Sequence, residues 1–168
     1  RGGMLTTIQD TGRWGYQSRG VPVAGPMDPV SHRLANALVG NERTAATLEV
    51  TLLGPELEFE DERVVAVTGA EFEVMLDGRP APHGTPFLVA KESHLRFGQR
   101  NRGSRAYLAI RGGVAVPPVL GSRSTHVISA MGGMAGRPLR AGDRIAFGVA
   151  DAARPTVAPP ADRLVELP

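Results

Sequence analysis

The segment Gly121-Ser122-Arg123-Ser124-Thr125 combines residue types that bind anions. Glycine frees the backbone, the hydroxyls and N–H groups can donate hydrogen bonds, and arginine can hold a carboxylate or phosphate with two parallel bonds. The alternative is a polar turn whose hydroxyls satisfy nearby backbone groups. The segment matches no standard catalytic motif, so taken alone it leaves both interpretations open.

Two further clusters are rich in glycine and charged residues. Residues 8–28 contain Gln9, Asp10 and Arg13, and residues 131–143 contain Arg137 and Asp143. Loops of this composition lose much conformational entropy on ordering, so they need tight packing or a ligand. Each cluster can also be explained as turns that close a β structure, with Asp–Arg pairs as local supports. Because sites form where loops of a rigid scaffold gather, we expect the loops at 9–15, 121–125 and 131–137 to meet at one end of that structure.

The familiar catalytic and metal-binding signatures are absent from the sequence. There is no P-loop and no G-x-S-x-G nucleophile motif, and the four histidines lack the spacing of metal ligands. Ser122 or Ser124 with His126 and Asp143 has the composition of a triad, but nothing in the spacing supports one. The absence of cysteine excludes thiolate ligands and disulfides within the chain. We therefore predict no metal site.

Composition restricts the class of protein. The 168 residues are enough for one domain with a substantial core, and the net charge is only +2. The basic residues are scattered, which argues against nucleic acid as a partner. No run of 18 apolar residues and no secretory signal are present, so no membrane partner is expected and a cytoplasmic location is predicted.

The patterns predict a mainly β fold with one or two short helices. Asp28 as cap, Pro29 at the first position and Gly40 past the end predict a helix over 28–39, whose apolar face is expected to be Val30, Leu34, Ala37 and Leu38. A second helical turn is predicted at 43–47, and Asp77-Gly78 predicts a two-residue hairpin. The predicted strands are 56–60, 63–69, 71–76, 86–91, 94–98, 104–110 and 144–148.

The predicted organisation is a β-rich unit over 1–148 followed by a Pro/Ala-rich linker at 149–162. Residues 163–168, which complete the block DRLVELP, are interpreted as the start of a second subdomain that this sequence does not include. The chain therefore looks like part of a longer protein.

Several blocks together resemble the biotin-dependent carboxyltransferase family, also called the allophanate hydrolase subunit 2 family. The blocks follow one another from about residue 5 to 148: TTIQDTGRWGYQSRGVPVAGPMD, HRLANALVGN, LEVTLLGPELEF, TGAEFEVMLDG, AYLAIRGGVAVPPVLGSRST and GGMAGRPLRAGD. The family includes the C subunit of 5-oxoprolinase and part of the carboxyltransferase domain of urea carboxylase. The resemblance implies a β-barrel-like first subdomain in a two-subdomain protein whose other half is cyclophilin-like.

The resemblance also implies an enzyme that works on a small amide substrate with a sister subunit, which resembles either allophanate hydrolase subunit 1 or the B subunit of 5-oxoprolinase. Three functions remain open. The first is a subunit of an ATP-dependent complex that opens 5-oxoproline to glutamate, with ATP used by the complex and no cofactor assigned to this chain. The second is the carboxyltransferase component of a urea carboxylase, with carboxybiotin as the carrier. The third is a regulatory module without catalysis, acting with a sister subunit of the kinase-inhibitor type.

The candidate site residues are taken from the three loop clusters. Asp10, Arg13 and Arg123 are the candidate catalytic residues, because arginine can stabilise developing negative charge and aspartate can orient it. The candidate substrate-binding residues are Gln9, Gly121, Ser122, Ser124, Thr125 and Arg137. We expect Arg123 to lie in a cleft shared with the sister subunit or the second subdomain.

Overall fold

A computed structural model describes residues 1–149, in which seven strands form one antiparallel sheet and a single α-helix packs on it. The strands are β1 (Leu5–Gln9), β2 (Thr47–Thr51), β3 (Glu56–Glu58), β4 (Arg63–Leu76), β5 (Arg79–Pro80), β6 (Pro86–Val89) and β7 (His94–Ile110). The helix is α1 (Pro29–Leu38), and a short 3-10 helix covers Gln17–Arg19. The prediction of a mainly β fold is confirmed. The predicted linker and following segment lie, except for Val149, outside the described residues.

The two long strands β4 and β7 form the centre of the sheet. The order is β1-β2-β7-β4-β5, and the same two strands also carry β6 and β3 on their free portions. Four predicted strands merge here, two into the 14-residue β4 and two into the 17-residue β7. The register of the pair shifts between Gly69 and Val74, which bends both strands and lets one sheet cover two sides of the core.

Three local predictions need correction or confirmation. The hairpin at Asp77-Gly78 is confirmed, with φ of 49° and 77° at its two central residues. The predicted helical turn at 43–47 is absent: residues 43–44 form a turn, and β2 begins at Thr47. The predicted strand at 144–148 is reduced to an isolated bridge between Val114 and Phe147, because no second strand lies beside it among residues 1–149.

The two faces of the sheet have different chemistry. One face carries fully buried aliphatic residues, including Ile8, Leu48 and Leu108, and packs against apolar residues of the segment 114–147. On the opposite face, pairing aligns Thr7 with Glu49 and Glu49 with Tyr107. This second face is covered by α1, so the layer between the helix and the sheet combines these polar side chains with small apolar ones such as Ala66 and Ala109.

Helix α1 forms where predicted, but it buries a different face. Asp28 accepts hydrogen bonds at 3.0 Å from the backbone N–H groups of Val30 and Ser31, as the predicted cap requires. Val30 and Leu34, however, are 76% and 49% exposed, whereas His32 and Asn36 are fully buried. The predicted inner face was therefore wrong for Val30 and Leu34 but right for Leu38, which packs with Ala35 and Val39 against small residues of the sheet such as Ala66 and Ala109. Asn36 donates from Nδ2 to the carbonyl of Ala45 at 2.8 Å and thereby fixes the loop before β2.

His32 is the unusual member of this layer. Its ring lies edge-on to Tyr107, with centroids 6.0 Å apart, and neither ring nitrogen forms a hydrogen bond of good geometry with any residue of the described chain. Burial lowers the pKa of His32, while the nearby carbonyls of Gln9 and Ala45 and the charge of Asp10 act in the opposite direction. His32 is therefore held in its neutral form.

We expect the change His32→Leu to make the protein less sensitive to acid. When the pKa of a histidine is lower in the folded protein than in the unfolded chain, the unfolded chain is protonated first as pH falls. Such a histidine has no effect on stability above its unfolded pKa of about 6.5, and it destabilises the protein progressively as pH falls below that value. Replacing a buried, unpartnered polar ring with an apolar side chain is also close to neutral or stabilising at pH 7. Urea unfolding at pH 7 and pH 5 measures both effects. The matched control is His83→Leu at an exposed histidine; an equal response of the two variants to acid would contradict the expectation.

Candidate functional site at the carboxyl end of β1

Asp10 immediately follows β1, and its side chain is the centre of the loop cluster. Its Oδ1 accepts hydrogen bonds from Gly12 N at 2.9 Å, Ser122 Oγ at 2.6 Å and Ser124 Oγ at 2.7 Å, and its Oδ2 accepts from Arg123 N at 2.5 Å. Asp10 is 6% exposed, and the two serines are fully buried. Of the two interpretations that the composition left open, the segment 121–125 is thus an anion cradle, but the anion that it holds is the side chain of Asp10 in the same chain.

The same segment also covers the outer edge of β1. Thr125 N donates to the carbonyl of Ile8 at 2.8 Å, and Gln9 Nε2 donates to the carbonyl of Thr125 at 3.1 Å. Asp10 N donates to Ser124 Oγ at 2.9 Å. Side chains and backbone of residues 124 and 125 therefore replace the strand that would otherwise pair with β1. Residues far apart in sequence are fixed together at this strand end.

The protonation state of Asp10 follows from these contacts. Burial by itself raises the pKa of a carboxyl group, but the hydroxyls of Ser122 and Ser124 and the backbone N–H groups of Arg123 and Gly12 lower it, and the pKa of Asp10 lies below its ordinary value. A carboxylate with four donors and a lowered pKa is a poor general base. Its chemical contribution is a fixed negative charge that orients the groups around it.

Arg13 lies beside this carboxylate and is 1% exposed. Its Nη2 donates to the carbonyl of Ser124, and its Nε makes a long contact of 3.4 Å with the carbonyl of Val119. Burial lowers the pKa of Arg13, and the charge of Asp10 raises it again. Its Nη1 has no partner in residues 1–149, and the same holds for Oε1 of Gln9. The cluster therefore contains one buried donor and one buried acceptor that are not used within the described chain.

Arg123 is held through its backbone and leaves most of its guanidinium free. Its Nε donates to the carbonyl of Val116 at 2.9 Å. The two terminal nitrogens form no hydrogen bond or ion pair with the described part of the chain, and the side chain is half-buried. Leu120 and Gly121, which come shortly before Arg123, form a tight turn with φ angles of 51° and 78°. Backbone hydrogen bonds between Val119 and Ser122 close the turn. Exposed Gly121 thus supplies the conformation that sets the cradle, and a contact with substrate remains a prediction.

The third loop meets the other two at its beginning. Gly133 N donates to the carbonyl of Arg123 at 2.9 Å. A Cβ on Gly132 would lie 2.2 Å from the carbonyl oxygen of Ser124 and 2.6 Å from Nη2 of Arg13, so no other residue fits there. The loops at 9–15 and 121–125 and the start of 131–137 therefore come together as predicted.

Arg137 stands apart from this cluster. It forms a two-pronged ion pair with Asp143, at 2.7 and 2.8 Å, and this pair lowers the pKa of Asp143 to about 2. The guanidinium is already occupied by an internal carboxylate. A substrate-binding role for Arg137 stays a prediction. It would require the ion pair to open, or the guanidinium to bind Asp143 and the substrate at the same time.

A second network, which the sequence patterns did not identify, anchors the start of α1. Tyr107 Oη donates to Oε2 of Glu49 at 2.7 Å and accepts from Asp28 N at 2.8 Å, while Arg105 approaches Glu49 at 3.4 Å. Burial raises the pKa of Tyr107, and the hydrogen bond to Glu49 acts in the same direction. The alternation in LEVT, with Leu48 and Val50 inward, is the signal that could have placed Glu49 on the helix side.

Within residues 1–149 no group of three or more His, Asp or Glu side chains is arranged to hold a metal ion. Among the same residues, no helix is long and apolar enough to cross a membrane.

A family model described as "Carboxyltransferase domain, subdomain A and B" matches residues 19–167. The chain belongs to this family. It is 47% identical over 142 residues to urea amidolyase of Lachancea kluyveri, covering 84% of this chain and 8% of the relative. It is 41% identical over 148 residues to the 5-oxoprolinase C subunit of Escherichia coli, covering 88% of this chain and 48% of that relative. The family predicted from sequence is confirmed.

A solved structure supports the same relationship. The crystal structure of urea carboxylase from Kluyveromyces lactis superposes with a TM-score of 0.86 at 42% identity, covering 94% of this chain and 14% of that one. The present chain thus spans about half of the bacterial relative and a small part of the yeast enzymes. The relatives are enzymes or enzyme subunits, which is consistent with an enzyme subunit here.

We expect Asp10→Asn to lower the free energy of unfolding by about 2–3 kcal/mol at pH 7, because an amide cannot accept four hydrogen bonds as an anion does and its NH₂ faces donors. Because the pKa of Asp10 is lower in the folded protein than in the unfolded chain, its carboxylate stabilises the fold at pH values above the unfolded pKa of about 3.9. This stabilisation is lost as pH falls through the folded pKa. The difference between the two proteins should therefore shrink below about pH 4. Denaturant unfolding across pH measures it.

The matched control is Asp61→Asn. Asp61 also has a lowered pKa, through Arg63, but its side chain is 56% exposed. We expect a change within about 0.5 kcal/mol for this surface pair. Equal losses at positions 10 and 61 would mean that the Asp10 contacts do not hold the loops together.

Proposed function

We propose that this chain is part of a subunit of an ATP-dependent enzyme complex that opens the lactam of 5-oxoproline to give glutamate. One observation carries the proposal. Arg123 is fixed by hydrogen bonds of its backbone N–H and its Nε, whereas its two terminal nitrogens are free, and the buried Arg13 nearby has one unused donor. Such a pair suits a substrate that carries a carboxylate next to an amide carbonyl. The similarity over 148 residues to the C subunit of 5-oxoprolinase supports it.

The roles follow from the contacts. Arg123 binds the substrate carboxylate through its two terminal nitrogens, because a planar fork matches a carboxylate in two parallel bonds. Arg13 is buried and its Nη1 has no partner in residues 1–149, so in this proposal its positive charge stabilises negative charge on the amide oxygen as the ring opens. Asp10 stays ionised and fixes the backbone of Arg123. The hydroxyls of Ser122 and Ser124 donate to Asp10, so they bind and orient and are not assigned as nucleophiles.

The other parts of the proposed reaction come from the rest of the complex. In this proposal ATP provides the driving force for lactam opening, and a sister subunit that resembles allophanate hydrolase subunit 1 or the B subunit of 5-oxoprolinase completes the cleft. No cofactor is assigned to the residues described here. The proposed location of the complex is the cytoplasm. Two relatives, from Escherichia coli and Haemophilus influenzae, are named as the C subunit of 5-oxoprolinase, which supports an assembly of several subunits.

A second function is favoured by a different observation. Urea amidolyases from two yeasts are 47% and 48% identical to this chain, above the 41% and 37% of the two 5-oxoprolinase relatives. In a urea carboxylase the same free fork of Arg123 would hold the carboxylate of carboxybiotin. Oε1 of Gln9 is unused but buried in residues 1–149, so it would accept from an amide N–H of urea only after the surrounding loops open. Both functions place an amide and a carboxylate in the same cluster.

The two functions are separated by assaying the full-length protein with its sister subunits. Release of glutamate from 5-oxoproline and ATP supports the first. Carboxylation of urea with a biotin carboxylase and a biotin carrier, without glutamate release, replaces it by the second. A folded, assembled complex that does neither would contradict both assignments.

We expect Arg123→Lys to reduce kcat/KM of the assembled complex at least about 100-fold while Tm changes by less than about 2 °C. Lysine keeps the charge but loses the two parallel bonds, whereas the backbone N–H that binds Asp10 is unchanged. The control is Arg144→Lys, at a side chain that is 87% exposed and outside the cluster. A drop in Tm without a specific loss of activity would show that Arg123 has a structural role instead.

A further inference from the structure

The two arginines of the candidate site are both in contact with one short segment, residues 116–119. Nε of Arg123 donates to the carbonyl of Val116 at 2.9 Å, and Nε of Arg13 makes its 3.4 Å contact with the carbonyl of Val119. Arg13 and Arg123 lie in different loops of the chain. A four-residue segment therefore contacts both guanidinium groups, each through the carbonyl at one of its ends.

Two prolines, Pro117 and Pro118, lie between these carbonyls. Both prolines are exposed, whereas Val116 before them is only 8% exposed and belongs to the core. An exposed side chain adds little to the stability of a core, because little apolar surface is removed from water. The contribution of the two prolines at this place is therefore to the stiffness of the backbone.

The dipeptide restricts the backbone at three successive positions. Each proline ring fixes its own φ near −65° and removes an N–H, so neither residue can donate a competing hydrogen bond. A residue that precedes proline is confined to extended conformations, and this applies to Val116 and to Pro117. An extended proline-rich segment has three residues per turn, so carbonyls three positions apart face the same side. Val116 and Val119 have this spacing.

Both ends of the segment are fixed by backbone hydrogen bonds. On the side before it, the N–H groups of Val114 and Ala115 donate to carbonyls of neighbouring segments at 2.9 and 2.8 Å. On the other side, Val119 N donates to the carbonyl of Ser122 at 2.8 Å and the carbonyl of Val119 accepts from Ser122 N at 3.2 Å. With both ends fixed, the separation of the two carbonyls depends on the prolines between them.

We propose that Pro117 and Pro118 are positioning residues, which form a rigid spacer that sets the distance between the guanidinium groups of Arg13 and Arg123. This inference rests on the proposed function, in which Arg123 binds the substrate carboxylate and Arg13 stabilises charge on the amide oxygen. Rates fall steeply when a bound group is misplaced by about 1 Å. A fixed distance between the two cations thus selects lactams whose carboxylate and amide oxygen have the matching separation, and the spacer determines specificity for ring size.

The first test replaces both prolines with alanine and measures the assembled complex with 5-oxoproline and with its homologue of six-membered ring. Ring size changes the angle between the exocyclic bonds and hence the separation of carboxylate and amide oxygen. We expect the preference for 5-oxoproline, as the ratio of the two kcat/KM values, to fall about 10-fold or more in the double alanine variant. A merely structural role would lower both values equally and leave the ratio unchanged.

The matched control is Pro82→Ala, at an exposed proline of the loop between β5 and β6. It also gives the unfolded chain more freedom, but it is outside the segment that contacts the arginines. The preference should stay at the wild-type value in this variant. An unchanged preference in the double alanine variant, an equal change in the control, or a wild-type complex that does not distinguish the two rings overturns the proposal.

A second measurement is independent of activity. In the full-length protein labelled with ¹⁵N-arginine, the Nε–H signals of Arg13 and Arg123 are assigned with the variants Arg13→Lys and Arg123→Lys, and their hydrogen exchange is followed by NMR. We expect several-fold faster exchange of both signals in the double alanine variant and wild-type exchange in Pro82→Ala, because a looser segment holds the carbonyls less firmly.

The two measurements separate the spacer from the proposed function. Faster exchange of both signals, found together with a complex that opens no lactam, would contradict the proposed function and support the spacer. Exchange at the wild-type rate in the double alanine variant would show that the prolines do not hold the arginines, and the proposal would then be wrong whatever the complex catalyses.

Discussion

The carboxylate of Asp10 is the constraint on which the candidate site depends. It lies at the end of an edge strand and accepts hydrogen bonds from two serine side chains and two backbone N–H groups. Buried charge is costly unless it is paired or hydrogen-bonded, and here three of the four donors come from a loop more than 110 residues away in sequence. Folding therefore cannot satisfy Asp10 without also placing Arg123 and the neighbouring segment correctly. The polar contacts fix loop geometry where glycine-rich sequence would otherwise leave it undefined.

The two faces of the sheet have different roles: one forms the apolar core, and the other positions helix α1. The inner face is aliphatic and packs on residues of the segment 114–147, whereas the outer face carries Glu49 and Tyr107 beneath α1. The Glu49–Tyr107 pair holds the helix start through the backbone N–H of Asp28. Further along the helix the contact is mixed, because Leu38 packs in an apolar cluster on the sheet while His32 and Asn36 are buried beside it.

The sequence predicted correctly those features of the fold that depend on a few neighbouring residues. The cap at Asp28 and the turn at Asp77-Gly78 depend on a few adjacent residues, and both were predicted correctly. Composition left residues 121–125 open between an anion cradle and a polar turn, and the structure shows that the segment binds the carboxylate of Asp10. The identity of that anion could not be predicted, because Asp10 meets the cradle only through long-range packing. Strands β1 and β2 were not predicted: the sequence LTTIQ of β1 has no strict alternation, whereas TLEVT of β2 does alternate and its signal was missed.

The cradle also decides which groups remain for chemistry. Once Ser122, Ser124 and the backbone N–H of Arg123 have bound Asp10, their donors are used, and a bound substrate cannot compete for them without exposing a buried charge. The terminal nitrogens of Arg123 and one nitrogen of Arg13 are the cationic donors that this arrangement leaves over. An internal carboxylate thus satisfies the cradle and orients its arginine at the same time. Under the proposed function, an external carboxylate would therefore be bound by the guanidinium groups and not by the hydroxyls, with two parallel bonds that give it direction.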